Sequence, residues 1–167
     1  TQPWYFLVLE GKNKNKIAEI LKETPPEKNS PQAPETGKPK EGFSPTAKAT
    51  ARIIEDAPCV IIIFNKCPYT RSRKNVLDNW SKHSINSWEF EIQSIAAAIQ
   101  NMLLASHSTG LGGVWLCDPV FMEEPIKEYL KINLDIIGCI ALGYQDHSKP
   151  SGPLNKIINY NCTEFRD

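Results

Sequence analysis

Three short runs of consecutive apolar residues constrain the fold of this 167-residue chain more than any other feature. They cover residues 4–9, 59–64 and 136–142 and are rich in aromatic and β-branched side chains. Runs of this length and composition are typical of β-strands buried on both faces. None approaches the roughly 20 apolar residues that a membrane-spanning helix needs. The runs therefore predict a soluble domain built around a buried sheet, without a membrane as partner.

Segments with helical periodicity separate these runs. The clearest covers residues 88–108, in which apolar residues recur at i, i+3, i+4 and i+7. Gly110 follows as a suitable residue to end this helix in the left-handed conformation. Strands that alternate with helices favour a layered sandwich. The other predicted elements are helices beginning at Asn13 or Asn15, at Ser44 and Pro45, and around Pro125, a short strand at 114–116 and an edge strand at 157–160.

Two segments lack these patterns. Residues 24–45 contain six prolines and one large apolar side chain, Phe43. Such a segment cannot bury enough apolar surface to offset the entropy lost on ordering, so it is predicted to be a flexible loop. Residues 66–86 are polar and predict a loop with a broken helix. Arg71 and Arg73 in this segment suggest either a phosphate-binding patch or a solvated loop, of which the solvated loop is the commoner case.

Composition and charge exclude several classes of protein. Nineteen Lys and Arg balance nineteen Asp and Glu, so no net positive field attracts nucleic acid. The five cysteines are odd in number and include no Cys-x-x-Cys pair, which argues against a disulfide framework or a zinc ribbon. This cysteine usage indicates a reducing, cytoplasmic compartment. Cys59, Cys117 and Cys139 lie in apolar runs and are expected to pack as small hydrophobic residues.

No standard catalytic or metal-binding motif is present. The three histidines have no metal-ligand spacing, and Glu89 and Glu91 look like one face of a helix. The glycine-rich stretch 110–113 ends a helix and enters a strand, which is the opposite order to a phosphate-binding loop. It either lets the backbone approach a ligand closely or serves only as a helix cap and turn. If the chain is an enzyme, its chemistry is therefore expected to come from a bound cofactor.

Six further segments matter for their order along the chain. They are Thr-Gln-Pro-Trp at 1–4 with its following strand, Asp-Ala-Pro at 56–58 with its following strand, the alanine-rich helix at 95–105, Gly-Leu-Gly-Gly-Val-Trp at 110–115, Ile-Ala-Leu-Gly-Tyr at 140–144 and the tail at 149–161. Each segment alone is a common pattern, whereas six in the same order across nearly the whole chain are specific. Taken in this order, they resemble the FMN-dependent nitroreductase family.

The resemblance implies an α+β fold in which helices flank a central, mainly antiparallel sheet as a three-layer sandwich. Residues 1–167 would form a single domain. It also implies an obligate homodimer with FMN at the interface, for which Ala97, Met102 and Ala105 are candidate contacts. Family members pass a hydride from NAD(P)H to the flavin, which reduces a nitroaromatic, a quinone or a similar small aromatic acceptor. Such chemistry needs no catalytic side chain and no metal.

The resemblance also implies which residues hold FMN. The main-chain groups of Trp115, Leu116 and Cys117 would face the flavin ring, although Trp115 also fits a buried core residue. Gly113 would permit close approach of the ring. A lysine in the tail would bind the phosphate as a point charge. The full set is Thr1, Gln2, Gly113, Trp115, Leu116, Cys117, Lys149 and Ser151.

Two departures from the family pattern leave three functions open. The family's Arg-Arg-Ser helix would precede Thr1, so the chain is expected to be truncated at its N-terminus. Ser151 stands where the family has an arginine. Each lost charge-assisted contact to phosphate is worth about 1.5–3 kcal/mol. The chain is therefore interpreted as an FMN-dependent oxidoreductase, as a flavin-binding or flavin-sequestering protein with little turnover, or as a structural member of the fold.

Overall fold

The computed structural model of the chain describes residues 2–24, 45–70, 72–78 and 81–144. Its strands are β1 (Trp4–Glu10), β2 (Cys59–Asn65), β3 (Leu111–Leu116) and β4 (Asp135–Tyr144). Its helices are α1 (Gly11–Lys22), α2 (Pro45–Asp56), α3 (Arg73–Asp78), α4 (Lys82–Ser108) and α5 (Glu123–Leu130), with a 3₁₀ turn (Asp118–Met122) before α5. None of these described helices is long and apolar enough to cross a membrane. Nearly all of the predicted loop 24–45, and the predicted strand 157–160, lie outside the described residues.

The four strands form one sheet in the order β1-β2-β4-β3, and every neighbouring pair is antiparallel. This arrangement confirms the predicted α+β class. β2 lies inside the sheet, and residues 60–65 are all buried, as the apolar run predicts. β1 lies at the edge, where Tyr5 and Val8 are 41% and 58% exposed. The expectation that residues 4–9 are buried on both faces is therefore wrong, because the flanking helices cover an edge strand incompletely.

Helices pack on both faces of the sheet and form the predicted three layers. α1, α2 and α5 cover one face, where Ile62 of β2 is completely buried. α4 covers the opposite face, and its Ile95 and Ile99 form one apolar cluster with Ile63 and Ile140. Removing apolar surface from water, at about 25 cal/mol per Å², is the main force that holds these layers together.

α4 follows the predicted periodicity but begins at Lys82, ahead of the predicted start at residue 88. A reciprocal pair of serines explains the earlier start. The hydroxyl of Ser81 accepts the N–H of Ser84 at 3.1 Å, and the hydroxyl of Ser84 accepts the N–H of Ser81 at 3.0 Å. This pair is a capping box in which serine takes the place of the usual Glu or Gln. Gly110 follows the helix with a φ of 81°, as predicted.

α1 begins at Gly11, directly after β1, and not at Asn13 or Asn15 as the sequence suggested. Glu10 is still extended, whereas Gly11 has a φ of 53°. Glycine adopts this left-handed conformation without a steric cost. The chain therefore turns from the strand into the helix within a single residue, which leaves no separate capping segment.

Candidate functional site

One end of the sheet brings together the described segments that the sequence assigned to a cofactor site. β1 and β4 begin there and β2 ends there, since Asn65 pairs with both Trp4 and Asp135. β3 ends on the same side, just before Cys117. Gln2 precedes β1, so Gln2 and Cys117 lie toward the same end of the sheet but at opposite edges, three strand spacings or about 14 Å apart across the strands and further apart overall. The other predicted residues, Thr1, Lys149 and Ser151, lie outside the described residues.

The end of β3 is exposed and has one unpaired edge. Among the described strands β3 pairs with β4 alone, so the main-chain groups along its other edge have no strand partner. Leu116 is buried in the layer of α1, α2 and α5. Trp115 points to the opposite face, as alternation requires, and is 37% exposed. Cys117 is exposed as well. Trp115 is therefore not a core residue, and this strand end presents main-chain groups beside an aromatic ring.

Gly113 is tightly packed within the chain. A Cβ atom at this position would lie 3.0 Å from the Cδ2 atoms of both Leu103 and Leu142. A Cβ atom here would therefore require both leucine side chains to shift by a few tenths of an ångström. A Cβ atom at Gly112 would meet only the carbonyl oxygen of Gly143, at an ordinary 3.6 Å. Packing against two leucine side chains favours a glycine at position 113, and the close approach of a ring there stays a prediction.

Gly138 supports the end of β3 from the neighbouring strand, and the sequence motifs did not identify it. Its φ is 152°, a conformation that other residues rarely adopt. A Cβ atom here would lie 2.7 Å from the carbonyl oxygen of Leu116 and 3.1 Å from Nε1 of Trp115. A bulge sets this position, since Ile63 pairs with Gly138 and the next pair skips to Ile136. Glycine thus lets β4 pass close to the main chain at the end of β3.

Beyond the end of β3, an ion pair bonds the edge of β4 that β3 occupies further along the strand. Arg73 of α3 donates from Nη1 to Oε2 of Glu123 at 2.9 Å and from Nη2 to the carbonyl oxygen of Ile136 at 2.8 Å. Oε1 of Glu123 accepts the N–H of Ile136 at 2.8 Å. Side chains thereby satisfy both main-chain groups of Ile136. Arg73 is therefore neither the solvated-loop residue nor the free phosphate ligand that the sequence suggested, and Arg71 lies outside the described residues.

A polar cavity of about 550 Å³ opens beside this ion pair, between α3 and the first turn of α5. Charges of both signs line it, and Arg73 and Lys127 each pair with a glutamate. A phosphate site needs a surplus of positive charge, which these walls do not offer. Within the described ranges, no group of three or more His, Cys, Asp or Glu side chains is placed so that it could hold a metal ion. The charged residues of the walls are Arg73, Lys74, Lys127, Asp78, Glu123, Glu124 and Asp135.

The 3₁₀ turn after Cys117 is tied to α2. Asp118 accepts a hydrogen bond from the hydroxyl of Thr50 at 2.5 Å, and Thr50 is 4% exposed. Pro119 of the same turn is also buried. The main chain at Cys117 is therefore fixed by β4 before it and by α2 after it. A fixed main chain suits binding through backbone groups, because these groups need no reorganisation when a ligand arrives.

The thiols near this end of the sheet are not activated. Burial, with Asp135 as the second cause, raises the pKa of Cys67 to about 12. Burial also raises the pKa of Cys139 to about 12 and raises the pKa of Cys117. A raised pKa keeps a thiol protonated and weakly nucleophilic at neutral pH. Cys139 packs as the small hydrophobic residue that was expected, whereas Cys117 is exposed and does not.

Comparison with known proteins identifies the family. A model of the nitroreductase family matches residues 1–144. The chain therefore belongs to the nitroreductase family, which confirms the resemblance seen in its six segments. Among curated proteins, YdjA of Escherichia coli K12, named for an inferred NAD(P)H nitroreductase activity, is 25% identical over 144 residues. The match covers 85% of this chain, and the chain spans about 65% of the length of YdjA.

Solved structures of other proteins share the fold. A nitroreductase family protein of Streptococcus pneumoniae TIGR4 is 16% identical with a TM-score of 0.63, over 98% of this chain and 79% of that one. A nitroreductase of Bacteroides fragilis NCTC 9343 with bound FMN is 19% identical with a TM-score of 0.61, over 99% of this chain and 76% of that one. At these identities the likeness concerns the fold alone, and it confirms the nitroreductase-like α+β architecture.

Proposed function

We propose that this chain is an NAD(P)H-dependent oxidoreductase of the cytoplasm that binds FMN at the end of β3. The observation that carries the proposal is the exposed strand end at 115–117, whose unpaired edge is held in place by Gly138 and by the 3₁₀ turn. Membership of the family supports it. So do the FMN bound to the Bacteroides fragilis relative and the NAD(P)H in the name of YdjA. The proposed acceptor is a nitroaromatic, a quinone or a similar small aromatic compound.

The residues at this strand end fit a flat, partly apolar ring. Trp115 is 37% exposed and offers apolar surface, while the main chain of 115–117 offers donors and acceptors. Trp115 would exclude water from one side of the site. Bound FMN would supply the redox chemistry, taking a hydride from NAD(P)H and passing electrons to the acceptor. Lys149 would bind the phosphate, and Ser151 would add a weaker, neutral contact.

A homodimer through α4 is part of the proposal. Phe90, Ala97 and Leu104 recur at seven-residue steps and are all exposed, Phe90 by 61% and Leu104 by 58%. Residues seven apart share one helix face, so these side chains form an apolar stripe. Ala105 is exposed, as a dimer contact requires. Met102 instead packs against the cluster between α4 and the sheet, so we leave it out of the proposed interface.

A second subunit would bring a copy of Gln2 to the proposed FMN site. Gln2 and Cys117 lie at opposite edges of one sheet, separated by about three strand spacings, so one chain does not bring them together. A partner subunit seated on α4 offers a second copy of the N-terminal segment. We therefore propose that Thr1 and Gln2 border the flavin bound at the end of β3 of the partner.

Flavin content and flavin reduction test the proposal. The purified full-length protein is expected to show the visible absorption of oxidised flavin, and FMN at 100 times its Kd is expected to raise Tm by roughly 5–10 °C. NADH or NADPH, added without oxygen, should bleach that absorption, and a quinone or nitroaromatic should restore it. Flavin that binds but is bleached by neither nucleotide would favour a flavin-binding protein with little turnover, which the neutral Ser151 supports. A colourless protein whose Tm does not respond to FMN would contradict both functions.

A further inference from the structure

Glu91 is a buried carboxylate that holds a loop. This residue of α4 is 1% exposed. Its Oε2 accepts from Nδ2 of Asn65 at 2.9 Å and from the hydroxyl of Thr70 at 2.8 Å. Its Oε1 accepts the N–H of Tyr69 at 2.8 Å and the N–H of Thr70 at 3.3 Å. Donors from the last residue of β2 and from the loop after it thus converge on one side chain.

The position of Glu91 indicates a role beyond packing. Glu91, Ile95 and Ile99 follow at four-residue steps on the buried face of α4. An apolar side chain would fill this position more cheaply, because a buried carboxylate must be compensated by hydrogen bonds. Those bonds fix a segment that includes Cys67, whose φ of 48° is uncommon for a residue other than glycine. The N–H of Cys67 donates to Oδ1 of Asn65 at 2.8 Å, so both ends of the Asn65 amide are engaged.

Residues 65 and 66 also bond the segment that leads into β1. Asn65 pairs with Trp4 across the sheet. The N–H of Lys66 donates to the carbonyl oxygen of Pro3 at 2.7 Å. Pro3 directly follows Gln2, the residue proposed to border the flavin. A displacement of residues 65–70 would therefore move Gln2 through the pairing of Asn65 with Trp4 and the hydrogen bond from Lys66 to Pro3. A shift of about 1 Å is enough to disturb a site.

We propose that Glu91 is a positioning residue of the flavin site: it fixes residues 65–70 and, through them, the place of Gln2. The proposal rests on the proposed function, since it requires FMN beside Gln2. Glu91 acts through the loop, because all four of its donors belong to the segment that it holds. Its effect is therefore on cofactor binding and geometry.

Glu91→Gln tests the carboxylate at nearly constant size. If the new NH₂ group faces the N–H of Tyr69, two donors meet. If it faces Asn65 instead, that amide must flip, and its own NH₂ group then meets the N–H of Cys67. Every orientation thus leaves two donors opposed. The double variant Asn65→Asp/Glu91→Gln removes the conflict, because a carboxylate at position 65 accepts hydrogen bonds from both sides.

FMN affinity of the full-length protein is measured well below Tm, so that only folded molecules contribute. Glu91→Gln is expected to weaken FMN binding by at least about tenfold and to change the visible circular dichroism of the bound flavin. Asn65→Asp/Glu91→Gln is expected to restore the affinity to within about threefold of wild type. Glu89→Gln is the matched control, since Glu89 lies in the same helical turn and is exposed, and it should bind FMN as wild type does.

The outcomes separate this proposal from the proposed function. A wild-type protein that binds no FMN overturns both. A wild-type protein that binds FMN, with a Glu91→Gln variant that binds it equally well and loses only thermal stability, overturns the positioning role alone. Should Glu91→Gln fail to fold, Thr70→Val removes a single hydroxyl donor and takes its place. Weakened binding in Thr70→Val, with near-normal binding in the double variant, supports the proposal, and normal binding in Thr70→Val overturns it.

Discussion

Replacing Gly138 by alanine is expected to lower the free energy of unfolding by about 3–5 kcal/mol. The new Cβ atom would lie 2.7 Å from the carbonyl oxygen of Leu116, which belongs to the backbone of β3 and cannot rotate away. The backbone at position 138 also keeps a φ of 152°, which alanine adopts only with strain. The substitution therefore forces β3 and β4 apart where the proposed flavin site begins.

Urea unfolding measures this loss, and Gly112→Ala is the matched control. A Cβ atom at Gly112 meets nothing closer than 3.6 Å, so this variant is expected to change stability by less than about 1 kcal/mol. Gly138→Ala molecules that remain folded are also expected to bind FMN more weakly, because the main chain of 115–117 is displaced. Equal stability of the two variants would show that β4 does not pass close to the carbonyl oxygen of Leu116 at Gly138.

Replacing Arg73 by methionine is expected to lower the free energy of unfolding by about 2–3 kcal/mol. The change removes the guanidinium donor from the carbonyl oxygen of Ile136 and from Oε2 of Glu123. Loss of one partner from a fully buried ion pair typically costs about 3–5 kcal/mol. The smaller figure applies because the side chains of Arg73 and Glu123 are 26% and 15% exposed, and because Glu123 still accepts the N–H of Ile136.

Two further variants control for charge and for exposure. Arg73→Lys keeps the positive charge but replaces the two guanidinium nitrogens that bond Glu123 and Ile136 by one ammonium on a shorter side chain, so its stability should fall between those of wild type and Arg73→Met. Lys16 pairs with Glu19 on the surface, where their side chains are 47% and 59% exposed, and Lys16→Met is expected to unfold as wild type does. If Arg73→Met also unfolds as wild type does, the ion pair does not substitute for the missing strand.

The sheet, its layers and the longest helix follow from local patterns in the sequence. Apolar runs mark β2 and β4, and a 3.6-residue period marks α4, because both signals lie within a few neighbouring residues. The exposure of Tyr5 and Val8 does not follow, since an apolar run looks the same at the edge and at the centre of a sheet. The start of α4 was placed too late because Ser81 and Ser84 form a capping box without the usual Glu or Gln.

Only one part of the candidate site was predictable from the sequence, namely the end of β3, where a family motif lies. Arg73 and Glu91 were missed because their roles depend on distant parts of the chain: Arg73 meets Glu123 across 50 positions and Glu91 meets Asn65 across 26. Two signals were nevertheless present. A glycine inside an apolar strand, as at Gly138, marks a bulge or a close approach. Glu91 precedes Ile95 and Ile99 at four-residue steps, so the helical period of α4 places it on the apolar face.

The rate at which Cys117 is alkylated reports how accessible the end of β3 is to a small reagent. The residue is exposed, but partial burial of its thiol, with Asp118 as the second cause, raises the pKa, so the reactive thiolate fraction is small at neutral pH and grows as the pH rises. Labelling with iodoacetamide is therefore carried out at mildly alkaline pH and followed by peptide mass spectrometry. Cys59 is the internal control, because it is partly exposed and begins β2 at the opposite end of the sheet.

The rate of Cys117 alkylation with and without FMN is the most direct test of where the cofactor binds. With FMN at ten times its Kd, alkylation of Cys117 is expected to slow by about tenfold, because the bound ring covers the strand end in most molecules. The rate at Cys59 is expected to stay the same. Equal rates at Cys117 with and without saturating FMN would contradict a flavin site at the end of β3.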